Sequence, residues 1–131
     1  MPVIGALKLK AQIVCGDQFA MGPGKADVLD AIAREGSISA AGRSLGMSYR
    51  RTWLLVDTMN RCWSGPLVET TAGGGQSKGA RLTVLGRDVL AAYRGLEARL
   101  AEASNSEALV ALSAKLLPEP RPAQEHAPVD G

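Results

Sequence analysis

The sequence predicts a mainly α chain carrying a small β wing, and three observations predict it. Residues 36–61, GSISAAGRSLGMSYRRTWLLVDTMNR, place small residues before a glycine and then an amphipathic stretch opening on two arginines. Residues 66–83, PLVETTAGGGQSKGARLT, read as two short strands around a glycine-rich tip. Leu85, Val89, Tyr93, Leu96 and Leu100 then recur at helical spacing, forming a seam longer than a small core needs. Together they describe a winged helix-turn-helix that is dimeric through long helices.

The elements follow in chain order. Leu7, Leu9, Ala11 and Ile13 alternate with Lys8, Lys10 and Gln12, the period of an edge-type strand with one solvated face. Pro23 suits the first position of a helix because its missing N–H would have no partner there. Val28, Leu29 and Ile32 carry that helix over 23–35, and Gly36 ends it with a left-handed cap. Ser37 or Ser39 caps a short second helix with Ile38, Ala41 and Leu45 on one face. Ala40, Ala41 and Gly42 are small enough to let another helix cross closely. Gly46 supplies the turn, and Ser48 caps a third helix starting near Tyr49. There Tyr49, Trp53, Val56 and Trp63, with Met59, make an apolar stripe in which Trp53 and Trp63 are expected to pack inward and Tyr49 is left open between core and ligand, with Arg50, Arg51, Asp57 and Arg61 outside or at the margin.

After the third helix, 67–71 and 80–83 form the hairpin, with Lys78 and Arg81 on or beside its tip. The tip is not a Walker phosphate loop, because Gly79 is followed by Ala80 and Arg81 in strand context, not by Lys-Ser/Thr opening a helix. Thr83 caps the long helix, and Ser104 with Glu107 gives a capping-box signature for a further helix bearing Leu109, Leu112 and Leu116. From Pro118 the chain is proline-rich and polar without apolar period, so disorder is expected. The organisation is a DNA-binding and dimerisation domain over 1–102, an additional helix or extension over 103–117 and a disordered tail over 118–131.

Composition narrows the function. The 131 residues are 46% hydrophobic and 21% charged, as in an ordinary globular domain with extensions. Apolar runs such as Trp53 to Val56 are too short to cross a bilayer, and no basic-then-apolar leader opens the chain, so a cytoplasmic protein without a membrane partner is expected. Cys15 and Cys62 are too few for a disulfide framework and too far apart in sequence for a metal motif, and read as reduced thiols. His126, the single histidine, falls in the tail. With no constellation of histidine, paired carboxylates or activated cysteine, neither an enzyme nor a cofactor or metal site is expected.

Charge is distributed unevenly: residues 1–100 carry a balance of +5 and residues 101–131 one of −3. Arg50 and Arg51 fall where a helix dipole disfavours cations. In a helix-turn-helix that position reaches base edges in the major groove, where an arginine fork matches guanine O6/N7 or a phosphate. The charge is then placed for a ligand, double-stranded DNA, contacted by a homodimer.

The run FAMGPGKADVLDAIAREGSISAAGRSLGMSYRRTWLLVDTMN, then LVETTAGGGQSKGARLT and GRDVLAAYRGLE, resembles the N-terminal DNA-binding domain of ModE-type molybdate-responsive transcription regulators over residues 7 to about 100. The resemblance implies a bacterial regulator with a winged helix-turn-helix that binds a pseudo-palindromic operator as a dimer. Ser48, Tyr49, Arg50 and Arg51 would begin the recognition helix, and Lys78 and Arg81 would belong to the wing. The expected DNA-facing set is Ser39, Ser48, Tyr49, Arg50, Arg51, Thr52, Lys78 and Arg81. Family members also carry C-terminal oxyanion-binding domains; the stretch after the long helix is expected to hold none, and the effector is left open. Gly42 stands where the family favours alanine. Two alternatives stay open: an oxyanion sensor of molybdate type at the dimer interface, and a protein-interaction module using the same fold.

Overall fold

A computed structural model describes residues 3–71 and 79–124. Along the chain run β1 (Val3–Ile4), β2 (Leu7–Lys8), β3 (Ile13–Cys15), β4 (Gln18–Met21), α1 (Pro23–Glu35), α2 (Ile38–Ser44), α3 (Tyr49–Cys62), β5 (Val68–Thr71), β6 (Gly79–Leu82), α4 (Val84–Ser104) and α5 (Glu107–Lys115).

The expected fold class, mainly α with one β wing in a winged helix-turn-helix dimeric through long helices, is corrected. The described residues form five helices and three separate two-stranded antiparallel sheets, β1-β2, β3-β4 and β5-β6. The physical reason lies at the N-terminus, where a single edge strand was expected over residues 7–13. The chain instead reverses twice, at Gly5 and Gly16, whose φ angles of 58° and 59° are open to glycine without a Cβ clash. Val3 thereby pairs with Lys8, and Cys15 with Gln18, with a register irregularity between Ile13 and Val14.

The core sits where α1 meets α2, α3, β6 and α4. Val28, Leu29, Ala31 and Ile32 of α1 are fully buried with Met21, Met59 and Leu67, and Val56, Leu82 and Tyr93 close around them. Gly22 and Pro23 open α1, and Gly36, with φ 79°, closes it while its N–H bonds the Ile32 carbonyl at 2.9 Å. The Gly36 carbonyl also accepts the Ala80 N–H at 2.8 Å, so the end of α1 is tied to β6. Gly86, at the start of α4, is buried against the Leu67 carbonyl, where a Cβ would collide with backbone.

Two polar anchors hold α4. The Tyr93 hydroxyl donates to the Ala11 carbonyl at 2.6 Å. Burial raises the Tyr93 pKa, and the Glu97 charge adds to it, so the phenol stays a donor. Arg94 reaches from α4 to α1, donating to Asp30 at 2.6 Å and Asp27 at 3.0 Å, and to Glu97 on its own helix at 2.8 Å. Burial opposes the guanidinium charge, and the hydrogen bonds to Asp30, Glu97 and Asp27 outweigh it, so its pKa is raised. Glu97 is almost wholly buried, with Oε2 lacking a partner among the described residues.

Within residues 103–117, expected as an additional helix or an extension, lies α5, whose cap is Ser106, which accepts the Leu109 N–H at 3.4 Å. Ser104, expected as that cap, instead belongs to α4 and bonds the Leu100 carbonyl at 2.7 Å. No α5 residue is buried, and Val110 and Leu112 are 66% and 70% exposed. Residues 118–124 carry no helix or strand; the rest of the tail, with His126, lies outside the described residues.

Removing the Arg94 side chain leaves Glu97 as an uncompensated, nearly buried carboxylate. Arg94→Ala should lower unfolding free energy by about 2 to 4 kcal/mol. Adding Glu97→Gln should recover part of that loss, and denaturant unfolding of the two variants, taken as a cycle, measures the coupling.

Candidate nucleic-acid interface

The unit α2–turn–α3 positions the arginine pair. Ser37 caps α2 by accepting the Ala40 N–H at 3.0 Å, which leaves Ser39 in the first turn with an exposed side chain. α2 is only seven residues long, too short to be stable alone, so its place depends on packing. Ile38, Ala41 and Gly42 face inward. The chain then turns through Gly46, with φ 69°, and the Met47 N–H returns to the Gly42 carbonyl at 2.8 Å. Ser48 caps α3, its hydroxyl accepting the Arg51 N–H at 3.1 Å.

Gly42 is a point of close approach between α2 and α3. A Cβ there would lie 2.6 Å from Thr52 Oγ1 and 3.1 Å from the Met47 carbonyl oxygen. Thr52 is itself fully buried, with its hydroxyl donating to the Ser48 carbonyl at 2.8 Å. That bond satisfies the hydroxyl, which is why a polar residue occupies this position at no large desolvation cost. Gly42, where alanine was expected from the family pattern, is therefore demanded by contact.

This contact rotates α3 relative to the sequence expectation. The buried residues are Thr52, Val56 and Met59. Trp53, expected inside, is 45% exposed, and Tyr49, left open between core and ligand, is 57% exposed. Trp63 does pack on the core, and its indole N–H donates to the Ala20 carbonyl at 3.1 Å. The far end of α3 is sutured by Asn60, whose Nδ2 donates to the Val68 carbonyl at 3.0 Å. Its Oδ1 accepts the N–H groups of Leu67 and Val68 at 2.9 and 3.1 Å. Sequence reasoning missed Asn60, because nothing in periodicity distinguishes a helix asparagine that bonds a strand from one that faces water.

The expected DNA-facing residues divide as follows. Ser48, Tyr49, Arg50 and Arg51 come together, exposed, at the start of α3, whose first turn contains no acidic residue. Among the described residues neither arginine takes part in an ion pair. Thr52 does not join them: it is inside, holding the crossing. Arg81 is exposed on β6 but pairs with Glu69, its cross-strand neighbour, at 2.7 Å. Lys78 lies outside the described residues. Arg43, in the last turn of α2, is a further exposed cation that the sequence reading did not select.

Two concavities complete the surface. One of about 190 Å³ is lined by Ile13, Met21, Trp63, Val89, Tyr93 and Leu96 and is essentially apolar. Another, of about 320 Å³, lies between the end of α1 and β6 and is bordered by Gly36, Arg81 and Arg87. No group of three or more metal-ligating side chains exists among the described residues, and none of their helices is long and apolar enough to cross a membrane.

No family model matches the chain. Among curated proteins it is 47% identical over 70 residues to the molybdenum transport protein ModE of Azotobacter vinelandii, covering 53% of this chain and 26% of that protein. It is 38% identical over 105 residues to the molybdenum-pterin-binding protein MopA of Rhodobacter capsulatus, covering 78% and 37%. It is 35% identical over 71 residues to the DNA-binding transcriptional dual regulator ModE of Escherichia coli (strain K12), covering 54% and 27%. Over the matched residues the chain is similar to bacterial ModE and Mop proteins. It spans between 26% and 37% of the length of these relatives. Their names refer to molybdenum transport, molybdenum-pterin binding and transcription regulation.

The Gly42–Thr52 contact yields a prediction in which two effects oppose. Helix propensity alone favours Gly42→Ala by about 1 kcal/mol. Overlap with the locked Thr52 hydroxyl costs about 1 to 3 kcal/mol. Thermal unfolding should therefore show Gly42→Ala destabilised, and a stabilised variant would mean that α2 and α3 are not held this closely.

Proposed function

We propose that the chain is a DNA-contacting part of a ModE-like transcription regulator and that the start of α3 meets duplex DNA. The observation that carries this reading is the pair Arg50 and Arg51, exposed at a helix N-terminus with no carboxylate partner among the described residues. Such a pair disfavours its own helix end and repels its neighbours, so an external anion is the natural compensation. A phosphate or guanine edge fits the guanidinium fork, and the free N–H groups of the first turn add donors on the same side. The cap at Ser48 supports the reading further, because it fixes the direction in which that first turn projects. One relative carries DNA binding in its name.

In this role Ser48, Tyr49, Arg50 and Arg51 form the contact, Ser39 lies on the neighbouring helix, and Thr52 supports from within. Arg81 contributes only after exchanging Glu69 for phosphate, an inexpensive exchange for an exposed pair. Two copies, associating through the exposed Leu96 and Leu100 of α4, would present two such helix ends to a two-fold operator.

A second reading, oxyanion binding of molybdate type, is favoured by the molybdenum in the relatives' names, which is a broader common thread than DNA. The cleft bordered by Arg81 and Arg87 offers cations for it, whereas the apolar concavity beside α4 does not. Calorimetric titration with molybdate separates the two: heat of binding that is lost in Arg87→Ala would support the oxyanion reading.

For the DNA reading, fragments selected from genomic DNA at a stated salt concentration supply the operator. Arg50→Ala with Arg51→Ala should weaken binding by at least about 30-fold, since one bidentate arginine contact carries about 1 to 3 kcal/mol of discrimination. The slope of log affinity against log salt should fall by about 1 to 2, as phosphate contacts are lost. Unchanged affinity in a folded double variant would remove these residues from the interface.

A further inference from the structure

Cys15 and Cys62 are the two cysteines of the chain, and the fold brings them together at a junction that neither functional reading uses. Cys15 ends β3, next to the turn at Gly16, and pairs in register with Gln18. β4 returns from that turn and packs on α3, which ends at Cys62. Trp63, the next residue, pins this end of α3 to the hairpin through its 3.1 Å bond to the Ala20 carbonyl. The Cys15 side chain lies close enough to act on Cys62 there, Cys15 exposed and Cys62 half-buried. Lys25 of α1 and Arg61 are the cations close enough to act on Cys62.

We propose that Cys15 and Cys62 are a reversible oxidative modification site, at which a hydroperoxide converts the two thiols into an intramolecular disulfide joining the β3-β4 hairpin to the end of α3. The roles follow from exposure. Cys15 is open to an oxidant, whereas Cys62 is half-buried beside it. Burial raises the Cys62 pKa, and the Cys15 sulfur raises it further, so Cys62 stays a thiol until a partner sulfur is activated beside it.

With hydrogen peroxide the chemistry balances in two steps. The Cys15 thiolate, its proton given to solvent, attacks one peroxide oxygen; the O–O bond breaks, and the departing hydroxide recovers a proton as water. Cys15 is then a sulfenic acid. The Cys62 sulfur attacks the Cys15 sulfur, the S–O bond breaks, and the departing hydroxide takes the Cys62 proton as a second water. The thiols lose two electrons and two protons in all, and the peroxide gains both. A thiol reductant reverses the result by exchange.

The test uses the full chain, reduced, freed of reductant and titrated with hydrogen peroxide at low protein concentration, read by intact mass and peptide mapping. Both thiols should disappear together with a mass loss of about 2 Da, one Cys15–Cys62 cross-linked peptide and full recovery on reduction. The cross-link closes a loop containing α1, α2 and most of α3, so the melting temperature should rise by on the order of 5 to 10 °C. Cys62→Ser should instead accumulate a sulfenic acid at Cys15, trapped by dimedone. Independent oxidation of the two thiols in the unsubstituted chain, or disulfides formed only between chains, would overturn the proposal, whether or not the serine variant folds.

Discussion

The approach of Gly42 to Thr52 is the constraint on which the rest of this surface depends. α2 is too short to hold itself, and α3 presents its first turn usefully only if its axis and rotation are set. The glycine removes the Cβ that would keep the helices apart, and the threonine hydroxyl, bonded to the Ser48 carbonyl at 2.8 Å, fills the gap without leaving a polar atom unsatisfied. Once Thr52 faces inward, the 100° step between helix residues decides the remainder. Val56 and Met59 follow it into the core, while Tyr49, Arg50, Trp53 and Leu54 are left at the surface.

The other polar contacts lock that arrangement from a distance. Asn60 ties the far end of α3 to β5, and Trp63 ties it to β4. Arg94 and Tyr93 fasten α4 to α1 and to the N-terminal segment. Each of these groups is a donor or acceptor used by a different element, so α3 is held at both ends while its first turn stays open. In the proposed role that combination is what matters: a rigid support lets two arginines meet a ligand without first being ordered.

Much of the local structure was legible in the sequence because its signals are short-range. Pro23 and Gly36 bound α1, Ser48 caps α3 and Thr83 caps α4, as their chemistry requires. What was not legible depended on partners distant in sequence. Trp53 was expected inside because hydrophobicity was weighed above rotation, and Thr52 was expected to face DNA because nothing in the sequence shows that its hydroxyl is bonded within its own helix and buried. The N-terminal hairpins were hidden by an alternation that fits one strand as well as two, with only Gly5 and Gly16 marking the reversals. The fold class was misjudged for the same reason, since one wing was expected where three small sheets occur. The exposed position of Arg50 and Arg51 at the start of α3 could be read from the sequence; that Arg81 is engaged by Glu69 required the strand register.

At 13.7 kDa the chain is suited to residue-level mapping in solution, and the most direct measurement is an amide chemical-shift titration of the full chain with operator duplex DNA. The account predicts that the largest perturbations fall on the backbone N–H groups of Ser48 to Thr52, with the core amides of α1 unmoved. Perturbations confined to the cleft around Gly36, Arg81 and Arg87, or none beyond non-specific surface shifts, would contradict it.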